Sequence, residues 1–145
     1  MKPAGIQFAQ LLQAVMVLSG SGVVLAVQDD AAIAKARKRT ERLNTHLMTK
    51  ARSSNELTYL ASPVTGGGVT VLRFHQLFVL ARQQGHKTSA EWAAFAWNVL
   101  AMQGQRLLKD GKALETPEEN LAELTAQATE FADKQLPVLK ALQIA

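Results

Sequence analysis

Between Thr88 and Lys109 the chain reads TSAEWAAFAWNVLAMQGQRLLK, and Glu91, Asn98 and Gln105 recur in it seven residues apart, among mostly apolar neighbours. At about 3.6 residues per turn this spacing keeps the three polar positions in one thin stripe along a helix. Trp92, Phe95, Ala96, Val99 and Leu100 then form one apolar face, and Ala93, Trp97, Ala101, Gly104 and Leu108 form another. A helix that is apolar over most of its circumference needs packed neighbours on two or three sides. The expected fold is therefore all-α: an irregular bundle of about five helices, with an extended N-terminal helix, in a single domain spanning 1–145.

The punctuation of the chain supports this division. Thr88 or Ser89 can cap the tryptophan helix with Glu91 in its first turn, and Gly111 supplies a stop beyond Arg106, Lys109 and Lys112. Thr116-Pro117-Glu118-Glu119 is a stronger start signal: threonine caps, proline takes a position whose amide hydrogen is not needed, and Glu119 reaches back. Leu121, Leu124, Ala128, Phe131, Val138 and Leu142 follow as an apolar seam, and Pro137 predicts a kink or break before a short tail. Val69 to Gln84 reads as a buried helix ending at Gly85, although its first residues alternate enough for a strand. Ser53 to Gly68 is the clearest break, with Leu57, Tyr59 and Leu60 expected to pack inward and residues 62–69 expected to form a flexible Pro/Gly loop.

Residues 1–28 form an apolar segment with no charge between Lys2 and Asp29. A signal peptide would use Lys2 as its basic start, but no small-x-small cleavage site stands near Gln28. A membrane-inserting reading of residues 6–27 has nearly the required length and basic residues following it, but Gln7, Gln10, Gln13, Ser19 and Ser21 weaken it. The default expectation is a helix from Pro3 to Leu18, a break at Gly20-Ser21-Gly22, and a short apolar helix or strand at Val23 to Val27. Phe8, Leu11, Leu12 and Val15 on that helix, together with Trp97, are the candidate assembly surface.

Charge is distributed unevenly within a net balance of +4. Ala31 to Arg52, expected to be a helix capped by Asp29 or Asp30, carries seven basic residues against Glu41. Ile33, Ala36, Thr40, Leu43, Leu47 and Ala51 give it a thin apolar seam. Lys35, Arg37, Lys38, Arg39 and Arg42 are candidate contacts for phosphates or anionic lipid. Ala113 to Asp133 carries six acids and no base, so the two segments could neutralise one another within or between subunits, the other structural reading being an ordinary solvated basic face.

The sequence offers little to a catalytic reading. Cysteine is absent, which removes thiol nucleophiles and cysteine-bearing metal sites, and the three histidines fall at no helical metal spacing. His75 stands in an apolar stretch without an orienting carboxylate, the mark of a core histidine rather than a general base. GSGVVL lacks the third glycine of a dinucleotide fingerprint, and Gly66-Gly67-Gly68 lacks the lysine of a phosphate loop. Neither a cofactor, a metal nor a small-molecule substrate is expected. The favoured function is a non-enzymatic assembly subunit, a homo-oligomer or part of a larger complex such as a virus particle, secretion apparatus or conjugation machine, in the cytoplasm or within the assembly itself. Nucleic-acid binding through residues 31–52 and membrane contact through residues 6–27 are the alternatives.

Overall fold

The computed structural model of the chain describes residues 7–145. Six α-helices, the last two joined by a π-helical turn into one continuous rod, carry the described fold, with two short antiparallel hairpins among them. The helical expectation holds, and its all-α form is corrected. The first helix, α1 (Phe8–Gly20), begins at Gln7, which forms a reciprocal pair of hydrogen bonds with Gln10. The expected start at Pro3 lies outside the described residues. Beyond Gly22 the segment Val23 to Val27 is neither helix nor strand, which corrects the second short element. Gln28 ends it by donating its backbone N–H to the Val64 carbonyl at 2.8 Å.

Asp29 caps α2 (Asp30–Lys50), accepting the Ala32 N–H at 2.8 Å. The seam of this helix is rotated slightly from the one expected. Leu43 is exposed, whereas Asn44 and Met48 are buried. The reason is polar: the Asn44 side chain donates to the Ala61 carbonyl and accepts the Ala61 N–H, each at 2.8 Å.

Ala61 lies in β1 (Tyr59–Ser62), which pairs antiparallel with β2 (Gly67–Thr70) in the register Leu60 with Val69. The expected flexible loop at 62–69 is thus a turn followed by a strand. Pro63 opens the turn, and Gly66 closes it at φ +69, where a side chain would also meet Gln28. Leu60 is fully buried, but Leu57 and Tyr59 point outward, as strand alternation requires of Tyr59. The expected helix from Val69 is divided between this strand and α3 (Arg73–Gln83), whose N-terminal boundary is Leu72.

Thr88 and Glu91 form a reciprocal cap on α4 (Ser89–Ala101), the tryptophan helix. It is about two turns shorter than the sequence suggests. The chain leaves the helix after Met102, Gly104 adopts φ +64, and a second hairpin follows, β3 (Leu108–Lys109) with β4 (Lys112–Ala113). The first apolar face is confirmed: Trp92, Ala96, Val99 and Leu100 are buried and Phe95 packs at their edge. Of the second face only Ala93 is buried and Trp97 partly so, because Ala101, Gly104 and Leu108 lie where the helix ends or has ended.

Thr116 and Glu119 cap α5 (Pro117–Glu130) reciprocally, as their spacing predicts. Continuous with it runs a π-helical turn, Phe131–Gln135, and then α6 (Leu136–Ala141). Pro137 cannot donate a backbone hydrogen bond, and the wider turn just before it lets the Leu136 N–H reach the Phe131 carbonyl. The break is a local widening rather than a stop. It also turns Leu136 and Leu139 into the core while Val138 stays exposed, a correction to the expected seam.

The core lies between α3, α4 and α5, with α2 against α3. Phe131 is its aromatic hub. Its ring lies 5.0 Å from His75, 5.6 Å from Phe78 and 6.3 Å from Trp92, the last nearly perpendicular. Such tilted and edge-on arrangements set ring edges against ring faces and contribute beyond the area they bury. Trp92 also places its indole N–H on the His86 carbonyl at 2.9 Å, so its polar edge is satisfied.

Candidate interaction surfaces

Two surfaces remain after the core is accounted for, one apolar and one basic. The apolar surface is α1. None of its residues is buried, and Phe8, Leu11, Leu12, Val15, Met16, Val17 and Leu18 are all exposed. Val23, Val24, Leu25 and Val27 extend the exposed apolar run to the anchor at Gln28. At 1.5 Å per residue the 13 residues of α1 span about 20 Å, short of a hydrocarbon layer of roughly 30 Å. Among the described residues no helix is long and apolar enough to cross a membrane.

The molecular surface is correspondingly large. A compact monomer of 15.7 kDa exposes roughly 7,300 Å² by the usual scaling. This chain exposes 9837 Å². Trp97, expected beside α1 on the assembly surface, does not join it: the indole packs against the core and borders a shallow cleft with Arg106, Glu115 and Pro117. Ala93, its companion on that face, is completely buried in the chain itself.

The basic surface is on α2. Lys35, Lys38, Arg39 and Arg42 are three, four and seven residues apart and share the helix face opposite Asn44 and Met48. His46 and Thr49 continue the same row. Arg37 does not belong to it; its side chain turns to a cleft of about 190 Å³ bordered by Glu41, Gln83, Lys140 and Gln143. The structure therefore divides the five candidate contacts into four and one.

Among the described residues no ion pair joins residues 31–52 to residues 113–133. Among the described residues the ion pairs are Arg106 with Glu115, Lys109 with Glu123 at 2.7 Å, and Lys134 with Glu130 at 2.9 Å. Cations in and just before the second hairpin and in the π turn thus pair with Glu115, Glu123 and Glu130. The hydrogen bond from Lys109, followed by one from Gln127, holds the Glu123 carboxyl below its ordinary range. Glu119 is held low by the Thr116 backbone N–H it accepts, the arrangement of a cap. No ion pair within the described residues involves Lys35, Lys38, Arg39 or Arg42.

His75 is half-buried beside Phe131, and burial lowers its pKa, opposed in part by the charge of Glu130. Among the described residues no three His, Cys, Asp or Glu side chains gather closely enough to hold a metal ion.

Three buried amides that sequence patterning does not single out hold the backbone around the two hairpins. Asn44 fixes the first hairpin, as described. Asn120 does the same for the second, accepting the Leu107 N–H at 2.8 Å and donating to the Leu114 and Thr116 carbonyls. Gln76 spans the first hairpin from outside, donating to the carbonyls of Leu57 and Val71.

No family model matches the chain, and no solved structure matches it. It is similar to an uncharacterized protein of Synechocystis sp., with 35% identity over 143 residues. The alignment takes in 99% of this chain but only 28% of that protein. The stretch resembling this chain is thus a minor part of a considerably longer polypeptide.

Proposed function

We propose that the protein is a non-enzymatic helical docking module that works by seating α1 on an apolar protein surface. The observation that carries this reading is a helix with no buried residue and an almost wholly apolar sequence. Exposed apolar area is stabilised by leaving water at roughly 25 cal/mol per Å², so a patch this continuous favours a covered state. The folded body from Gln28 onward presents the helix, and Gln28 itself is held on the first hairpin.

In the isolated chain, α1 has only other copies to cover it. Light scattering during size exclusion in moderate salt should therefore give a mass above that of one chain at tens of micromolar. Leu11→Glu/Val15→Glu, which places two carboxylates in the middle of the apolar face, should return the chain to a monomer. A wild-type protein that stays monomeric and monodisperse at these concentrations would rule the reading out.

A further inference from the structure

We infer that the outer face of α2 is a contact surface for the phosphate backbone of double-stranded DNA, through Lys35, Lys38, Arg39 and Arg42. This rests on a different observation from the docking of α1. The four side chains are exposed and share one side of a 21-residue helix. None has an ion-pair partner among the described residues, and the ion pairs that the acidic segment does make, through Glu115, Glu123 and Glu130, go to Arg106, Lys109 and Lys134 instead. Glu41 stands on the flank of the row, bordering on one side the cleft that holds Arg37 and Lys140 and on the other a groove that it shares with Lys38, Arg42 and His46.

What else lies on the face selects among anionic partners. The row continues through Thr45, His46 and Thr49, with no large apolar side chain in it. Stable attachment to a bilayer draws on buried apolar area as well as on charge, and the only exposed large apolar side chain of α2, Leu43, stands at the edge of the row beside Arg39 and His46. A single strand is gripped largely by aromatic stacking, and α2 has no aromatic residue apart from the His46 ring. A duplex backbone is bound by charge without either, and an α-helix fits the major groove between two lines of phosphates. The hydroxyls of Thr45 and Thr49 already donate to the carbonyls of Glu41 and Thr45, so they add no donors for base edges. The contact is accordingly insensitive to sequence.

The test is fluorescence anisotropy of a labelled 20-base-pair duplex titrated with the full chain across a salt series. Four phosphate contacts predict a slope of log affinity on log salt near −3.6, or about a 150-fold loss between 50 and 200 mM salt. Lys38→Gln/Arg42→Gln should make the slope shallower by roughly two units. Lys87→Gln/Lys112→Gln removes the same charge from exposed positions outside α2 and should leave the slope unchanged. Matching thermal melts of the three proteins establish that the fold is intact. The inference is overturned by absence of duplex binding at 20 mM salt, by equal effects of the two double variants, or by capture on phosphatidylserine vesicles without binding to the duplex.

Discussion

Asn44 and Asn120 show how single residues hold a fold whose strands are too short to hold themselves. The second hairpin pairs two residues with two, and an isolated hairpin of any length is at best marginal in water. Each asparagine substitutes for a neighbouring strand by pairing with backbone groups that would otherwise be buried without partners. Asn44→Ala and Asn120→Ala should each lower stability by about 2–4 kcal/mol in urea unfolding, because they orphan backbone groups as well as remove a bond. Asn98→Ala, on the exposed stripe of α4, should stay within about 0.5 kcal/mol of the parent. Sequence patterning could not separate these cases, since an amide on a helix ordinarily marks its wet side. The one available hint was position: Asn44 stands four residues before Met48 and seven before Ala51, two apolar positions on its own face of the helix.

His75 makes a different residue-scale prediction. Burial lowers its pKa below the usual 6.5, so the unfolded chain binds the proton more readily than the folded one. Stability contributed in this way is present at neutral pH and is lost as pH falls through the unfolded value. From pH 7 to 5 the parent should therefore lose stability, with a slope of no more than about 1.4 kcal/mol per pH unit from this group. His75→Gln should flatten that slope in urea titrations at stepped pH. The carboxylates with lowered pKa, Glu91, Glu119, Glu123 and Glu130, act at lower pH, since their ordinary value is 4.5.

Among the elements, α1 and α4 are opposites that look alike in sequence. Both are uncharged over long apolar stretches, yet α4 is packed between α3 and α5 while α1 packs on nothing described. Composition cannot tell a helix covered by its own chain from one that awaits a partner. The double variant Leu11→Glu/Val15→Glu therefore separates the roles: measured on dilute, monomeric samples, its thermal midpoint should match the parent, because neither side chain belongs to the core. The helix starts at Asp29, Thr88 and Thr116 were legible because a cap is local, set by a few consecutive residues. Both hairpins and the early end of α4 were not. Strands of two to four residues are too short to display alternation, and their pairing depends on distant groups. Pro137 correctly marked the interruption in the last helix, but whether a proline yields a stop, a kink or a π turn is decided by the packing of Phe131 and Leu136.

For the whole molecule, the sequence showed how polarised the charge is but not where the neutralising partners lie. Glu115, Glu123 and Glu130 are paired within reach along the chain, which leaves the basic row of α2 facing outward. The same locality governs the core, where α2 meets α3, α3 meets α4, and α4 meets α5. Two links reach further: Phe131 packs its ring on His75 and Phe78 of α3, and the Ser62 hydroxyl donates to the Leu142 carbonyl at 2.8 Å, joining residues 80 apart in the chain. A fold assembled mainly from successive neighbours crosses its barrier quickly, and its longest closure has little reason to be formed at the barrier's top. Ser62→Ala should then accelerate unfolding several-fold while refolding is nearly unchanged in stopped-flow urea jumps. That hydrogen bond acts as a latch on the finished structure, setting how long the native state lasts rather than how fast it is reached.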